Sequence, residues 1–188
     1  MPDDSMETTD ASLGGIPCLP LGAQPPFVAS DLEAFVHERR VGILAYVRAD
    51  GRPNQTPIWH TYREGSFYMT TLTGSPKHCA LLREPRISLT IQDERPPYRA
   101  LIVSGVATLA PLDADTDPTD GVTVRYFGKA AATAYEGLMS PLWEARGLTL
   151  VTLAPTELRG FDNTRGLSKV QRAFIRLREA LPIPRAWL

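Results

Sequence analysis

Thr70, Thr71, Ser75 and Lys77 put three hydroxyls and one ammonium into eight residues, spanning the end of a strand-like run, a loop and the first turn of a short helix. Hydroxyls and an ammonium beside free backbone N–H groups at the positive end of a helix dipole form a pattern that holds an anion, and a phosphate fits it. The same residues also fit a purely structural role, in which Ser75 caps the helix and Lys77 is a solvated first-turn residue. A second feature lies just upstream, where Pro57, Ile58 and Trp59 fall inside another strand-like run. Proline cannot donate to a β-ladder, so this strand belongs at an edge or a bulge. Its exposed backbone suits the polar rim of a flat aromatic ligand, a covering second subunit, or both. His60, His78 and Cys79 are the remaining candidates for chemistry, but His60 and His78 belong to different elements and no third ligand is placed by spacing, so no metal is expected. No GxSxG, P-loop, HExxH or GxGxxG pattern occurs, and no catalytic side chain is assigned.

Five runs rich in β-branched and aromatic residues must position these groups: 41–48, 54–62, 66–71, 87–92 and 100–109. Asp50-Gly51 and Glu64-Gly65 join the first three as hairpin turns, which makes the sheet antiparallel at its start. Ile87, Leu89 and Ile91 alternate with Ser88, Thr90 and Gln92, as in a sheet with one buried face. The run 148–153 predicts a sixth strand, followed by 158–162 leaving the sheet. Among the helices, Ser30 and Glu33 form a capping-box pair ahead of Leu32, Phe35 and Val36, predicting a helix from Asp31 to Arg40 that covers one mouth of a barrel. Pro76 opens a short helix through Glu84, with Leu81 and Leu82 facing inward and Pro85 stopping it. Residues 122–139 offer helical segments split at Gly128. Ser168 caps a last helix whose Val170, Phe174, Leu177 and Leu181 share one face and dock it on the domain, with Pro182 ending it. Residues 1–29, mixed in Asp, Thr, Gly and Pro, read as a disordered leader.

The whole chain sets bounds on function. Its 188 residues and 20.7 kDa suit one domain with one core. A formal net charge of -1 and a pI near 6.3 give no reason to expect nucleic acid as a partner. Cys18 and Cys79 are far apart in sequence, which fits a reducing compartment and points to the cytoplasm. No run approaches the roughly 20 apolar residues needed to span a bilayer, so no membrane partner is expected.

In this order, Val41-Gly-Ile-Leu-Ala45, Asp50-Gly-Arg-Pro53, Pro57-Ile-Trp59, Ser75-Pro-Lys77, Arg83-Glu-Pro-Arg86 and Asp93-Glu-Arg-Pro-Pro-Tyr-Arg99 resemble the pyridoxamine 5'-phosphate oxidase-like, FMN-binding split-barrel family. More narrowly, they are similar to its flavin/deazaflavin oxidoreductase branch. The resemblance covers residues 31–162, with Arg125-Tyr-Phe-Gly128 and Leu158-Arg-Gly-Phe-Asp162 included. It implies a mainly β fold with flanking helices, built as a six-stranded antiparallel split β-barrel over residues 30–165, and the periodicity after Ser168 adds 166–188 as a C-terminal amphipathic helix packing on it. It also implies a homodimer with FMN or coenzyme F420 in clefts between subunits, acting as an oxidoreductase that moves a hydride between the cofactor and a small organic substrate. Thr70, Thr71, Ser75 and Lys77 would then hold the cofactor phosphate. Arg52, Pro57, Ile58 and Trp59 would run under the ring, and Tyr98 and Arg99 would add contacts. Cys79-Ala-Leu81 stands where the family often has Arg-Asn-Leu, which removes one polar contact. Arg52, Arg83 and Arg99 would favour the carboxylate-bearing tail of F420 if they converge. A non-catalytic protein of the same fold that stores or senses a flavin, haem or bilin is the alternative. Nucleic-acid binding through Trp59, Tyr68 and the basic C-terminal helix is a weaker third reading.

Overall fold

The computed structural model describes residues 11–180, with only the backbone of residues 172, 176 and 178–180. The six anticipated strands are β3 (Gly42–Val47), β4 (Pro53–Ile58), β6 (Ser66–Leu72), β7 (Arg86–Gln92), β8 (Arg99–Pro111) and β9 (Leu148–Asp162). They hydrogen-bond side by side in the order β4-β3-β7-β8-β9-β6, and every pairing among them is antiparallel. Three short strands are added, β1 (Ser12–Leu13), β2 (Ile16–Pro20) and β5 (Thr61–Arg63), which brings the described sheet to nine strands. The run expected from Asn54 to Tyr62 is therefore two strands, broken where Trp59 and His60 leave the ladder. Leu158 to Asp162 does not leave the sheet, because β9 continues through it and these residues pair with Arg99 to Val103 of β8.

The anticipated leader is also corrected where it is described. Cys18, Leu19 and Pro20 pair in parallel with Leu158, Arg159 and Gly160 of β9, and Ala11, Leu13 and Phe27 are buried. Residues 1–10 of that segment lie outside the described residues. Two glycines have backbone reasons for their positions. Gly65 has φ 79° in the turn between β5 and β6, next to Glu64 at φ 49°, the left-handed pair that a tight hairpin needs. Gly105 marks a shift in register between β8 and β9.

Alternation places the core. Ile87, Leu89 and Ile91 are buried and meet Leu44, Leu101, Val103, Phe67, Met69, Val151 and Leu153 from neighbouring strands. Helix α1 (Ala29–His37) closes over it with Leu32, Phe35 and Val36 buried. Its capping box does not form: the helix begins two residues early, Val28 is the N-cap, and the Ser30 hydroxyl turns to Asp31. Arg40 lies over the Phe35 ring at 4.1 Å and pairs with Asp93, which Arg99 also grips at 2.7 Å.

Helix α2 (Pro76–Arg83) buries Ala80 and Leu81, whereas Leu82, expected to face inward, is 62% exposed. An eight-residue helix resting on a sheet buries one narrow stripe, and adjacent positions sit 100° apart on it. Helices α3 (Val122–Phe127) and α4 (Lys129–Arg146) are divided at Gly128, as the sequence suggests. Helix α5 (Lys169–Ala180) has the expected Ser168 cap, and Gln171 completes it as a capping box: the Gln171 N–H donates to Ser168 Oγ at 3.2 Å, and the Ser168 N–H donates to Gln171 Oε1 at 2.8 Å. Among the described residues its apolar face is not docked on the domain as expected: Val170, Phe174 and Leu177 are 78%, 67% and 58% exposed. Leu181 and Pro182 lie outside the described residues. Among the described residues no helix is long and apolar enough to cross a membrane.

Candidate functional site

Strand β6 delivers Thr70 and Thr71 to its end, the loop turns at Thr73-Gly74, and Ser75 caps α2 by accepting the His78 N–H at 3.2 Å. Thr71 Oγ1 lies 3.3 Å from Ser75 Oγ, so the two hydroxyls form one polar patch. The free backbone N–H groups expected here are mostly engaged. Thr73 donates to Gly147 O, Gly74 to His78 Nδ1, Ser75 to Leu72 O and Cys79 to Ser75 O, and Pro76 has no N–H. Recognition of an anion at this corner therefore falls to side chains.

Lys77 is the group left over. It is half-buried, burial holds its ammonium below the usual lysine range, and it makes no ion pair among the described residues. A desolvated cation without a counter-charge is unfavourable by itself and becomes favourable when an anion arrives. Lys77 lines a cleft of about 700 Å³ together with Thr70, Thr71, Ser75, Pro57, Ile58 and Trp59. The two features singled out in the sequence thus meet in one cavity. β4, which carries Pro57, pairs only with β3 and leaves its other edge open among the described residues, as the proline demands.

Three candidates are not brought there. Arg52 turns back onto Asp50, with Nε 2.9 Å from the carboxylate, and pulls that carboxyl below its ordinary range. Arg99 is held by Asp93 and Glu38, and Tyr98 stands on the surface beside it. Arg83 does not line the cleft either, so the arginines do not converge on Lys77.

Trp59 lines the cavity, but its indole is occupied. It stacks on Tyr126 at 5.2 Å and 15°, meets Phe127 edge-on at 5.0 Å, and lies 5.4 Å from Tyr135. This cluster docks α3 and α4 against the sheet. Tyr126 Oη anchors it further by donating to the Arg40 carbonyl at 2.5 Å, with His60 Nδ1 3.4 Å away. His60 is fully buried, Nε2 has no hydrogen-bond partner among the described residues, and desolvation beside Arg125 and Arg40 pushes its pKa down to about 3. It is a neutral core histidine. In the unfolded chain its pKa returns to 6.5, so the stability it permits is complete above pH 6.5 and is lost as pH falls towards 3. We expect His60→Phe to flatten the acid side of the stability profile by up to about 1.4 kcal/mol per pH unit, read from urea midpoints between pH 4 and 7. Parallel profiles for the two proteins would contradict that.

The remaining wall was not identified from the sequence. Tyr135, Glu136, Met139 and Trp143 of α4 line the cleft, with Asp117 and Asp120 from the loop before α3. The far end of α4 reaches the anion corner, where Arg146 Nη2 donates to the Thr73 carbonyl at 3.2 Å. The fourfold spacing of Tyr135, Met139 and Trp143 was readable as one helix face, but nothing local states what that face covers. Among the described residues, no group of three or more His, Cys, Asp or Glu could hold a metal ion. Burial raises the Cys18 thiol to about 11, which leaves it protonated.

Comparison with known proteins places this geometry among relatives. Residues 29–158 match the sequence pattern of the pyridoxamine 5'-phosphate oxidase family. No curated protein matches the chain. Among solved structures, a conserved hypothetical protein from Mycobacterium tuberculosis superposes with a TM-score of 0.60 at 21% identity, over 88% of this chain and 98% of that one. A candidate 5-nitroimidazole antibiotic resistance protein from Bacteroides thetaiotaomicron gives 0.54 at 11% identity, over 70% of this chain and 81% of that one. An F420 reductase gives 0.50 at 23% identity, over 67% and 94%. At these identities the likeness carries the fold alone.

Proposed function

Because the chain belongs to the pyridoxamine 5'-phosphate oxidase family and has its split-barrel fold, we propose that it is an oxidoreductase whose cleft binds a phosphate-bearing flavin-type cofactor, FMN or F420. One observation carries this reading: the desolvated, unpaired ammonium of Lys77 shares a cavity with three hydroxyls and the open edge of β4. Lys77 neutralises phosphate charge, and Thr70, Thr71 and Ser75 supply directional hydrogen bonds. The backbone around Pro57, Ile58 and Trp59 holds the polar rim of the ring, while the Trp59 side chain fixes the helical wall.

The bound ring supplies hydride acceptance and donation, which removes the need for a catalytic triad. This chain's residues bind, orient and shield. The open edge of β4 supports a homodimer in which a second subunit completes the cleft. Because Arg52, Arg83 and Arg99 do not gather at the cleft, the charge pattern of this chain supports FMN over a tail carrying several carboxylates.

Purification from a host that makes both cofactors, followed by absorbance and mass analysis of what denaturation releases, tests the proposal. The expected result is a yellow protein releasing a single phosphate-bearing cofactor, with turnover when a hydride donor is added. A colourless protein that takes up neither FMN nor F420 overturns it.

A further inference from the structure

The cleft has two chemically different walls. One is the polar corner of β6 and α2. The other is α4, on which Tyr135, Met139 and Trp143 recur every four residues and so share one helix face. Their rings continue the cluster at Trp59: Tyr135 lies 5.4 Å from Trp59 and 6.1 Å from Trp143. The result is a chain of aromatic contacts running from Trp59 beside the β4 edge through Tyr135 to Trp143, three residues before the Arg146 contact with Thr73.

Charge is distributed with equal asymmetry. Lys77 is the only lysine or arginine among the described residues lining the cleft, whereas Asp117, Asp120 and Glu136 all line it. Asp117 is occupied by the Thr119 N–H and hydroxyl, both at 2.6 Å. The Asp120 N–H donates to the Asp117 carbonyl, and no hydrogen bond or ion pair engages the carboxylate of Asp120 or Glu136 among the described residues. A phosphate-bearing tail has no reason to lie along a wall fringed by carboxylates, and Tyr135, Met139 and Trp143, only half-buried although Trp59 and Phe127 pack against Tyr135, turn their remaining surface to the open cleft.

We infer that the Tyr135–Met139–Trp143 face of α4 is the substrate side of the cleft, and that it accepts planar, apolar, uncharged molecules of about two fused rings while rejecting anionic ones. This rests on the cofactor reading above, in which the phosphate occupies the Lys77 corner and leaves the α4 wall free. Aromatic and thioether side chains offer polarisable contact to a flat molecule, and Met139 adapts to its outline. The carboxylates act at longer range, so their selectivity fades with added salt.

Isothermal titration of the FMN-loaded protein with 2-naphthamide, benzamide and 2-naphthoate tests the assignment. These probes are inert towards both flavin and thiols. The second ring should make 2-naphthamide bind about tenfold more tightly than benzamide. At low ionic strength 2-naphthoate should bind about fivefold more weakly than the amide, a gap that closes with salt and in Glu136→Gln. Met139→Ala and Trp143→Ala should each weaken 2-naphthamide by about tenfold while FMN affinity stays within about twofold, and Trp143→Phe should restore most of the loss. The inference is overturned if 2-naphthamide fails to bind, if it binds these variants as well as the parent, or if FMN displaces it. Failure of the cofactor reading shows separately, as a parent protein that takes up neither FMN nor F420.

Discussion

Lys77→Ala should lower FMN affinity by roughly 10- to 100-fold while the melting temperature stays nearly unchanged. A hydrogen bond to a charged partner contributes roughly 1.5–3 kcal/mol, and each 1.4 kcal/mol is a factor of ten in affinity. The folded apoprotein gains nothing from this ammonium: it is half-buried, unpaired among the described residues, and held below its ordinary value of 10.5 by desolvation. Removing it therefore relieves a small penalty in the free protein and deletes an attraction in the bound one. The sign of the pH dependence follows. Below its lowered pKa Lys77 is charged and attracts phosphate; as pH rises through that value the charge disappears and affinity falls, before a fully solvated lysine would lose its proton. Titration calorimetry of parent and variant across alkaline pH reads both effects, and equal FMN affinity in the two proteins would place the phosphate elsewhere.

Gly105→Ala should produce the largest change in stability. A Cβ at this position would stand 2.4 Å from the Ala154 carbonyl oxygen and 2.8 Å from Leu153 Cδ1. The first of these is backbone of β9, locked to β8 on both sides of the register shift, while β8 is itself paired with β7 on its other edge. Neither strand can retreat without breaking ladder hydrogen bonds, so the substitution costs about 3 kcal/mol. For a chain of this length that lowers the melting temperature by roughly 6–12 °C. A thermal melt followed by circular dichroism measures it, and a midpoint within a degree or two of the parent would show that β9 can yield.

Legibility in the sequence followed the range of the interaction. The hairpin at Glu64-Gly65 and the alternation through Ile87, Leu89 and Ile91 are local signals, and both appear in the structure as read. The Ser168 cap of α5 was legible for the same reason. The parallel pairing of Cys18–Pro20 with Leu158–Gly160 joins segments far apart in sequence. Pro17 and Pro20 suppress the strand signal of β2, so nothing local announced it. Ser30 and Glu33 show the opposite error, a good local motif displaced when Ala29 joins the helix.

Within the site, Thr70, Thr71, Ser75 and Lys77 could be read because a strand end, a cap and a first helical turn lie within eight residues. Arg52 and Arg99 were drawn towards the site by analogy, whereas nearby carboxylates hold them elsewhere. The α4 wall was missed for a different reason. Its periodicity is visible, but the partner of that face is Trp59, more than 70 residues earlier, and only tertiary structure brings the two together.

The central claim is that a phosphate-bearing redox cofactor anchors its phosphate at Lys77 and its neighbouring hydroxyls. The most direct measurement compares the affinities of apoprotein for FMN and for riboflavin, which share the ring and differ in the phosphate. The account predicts that FMN binds at least roughly tenfold more tightly and that Lys77→Ala removes most of that difference. Equal affinities for the two, or a difference that survives the substitution, would contradict it.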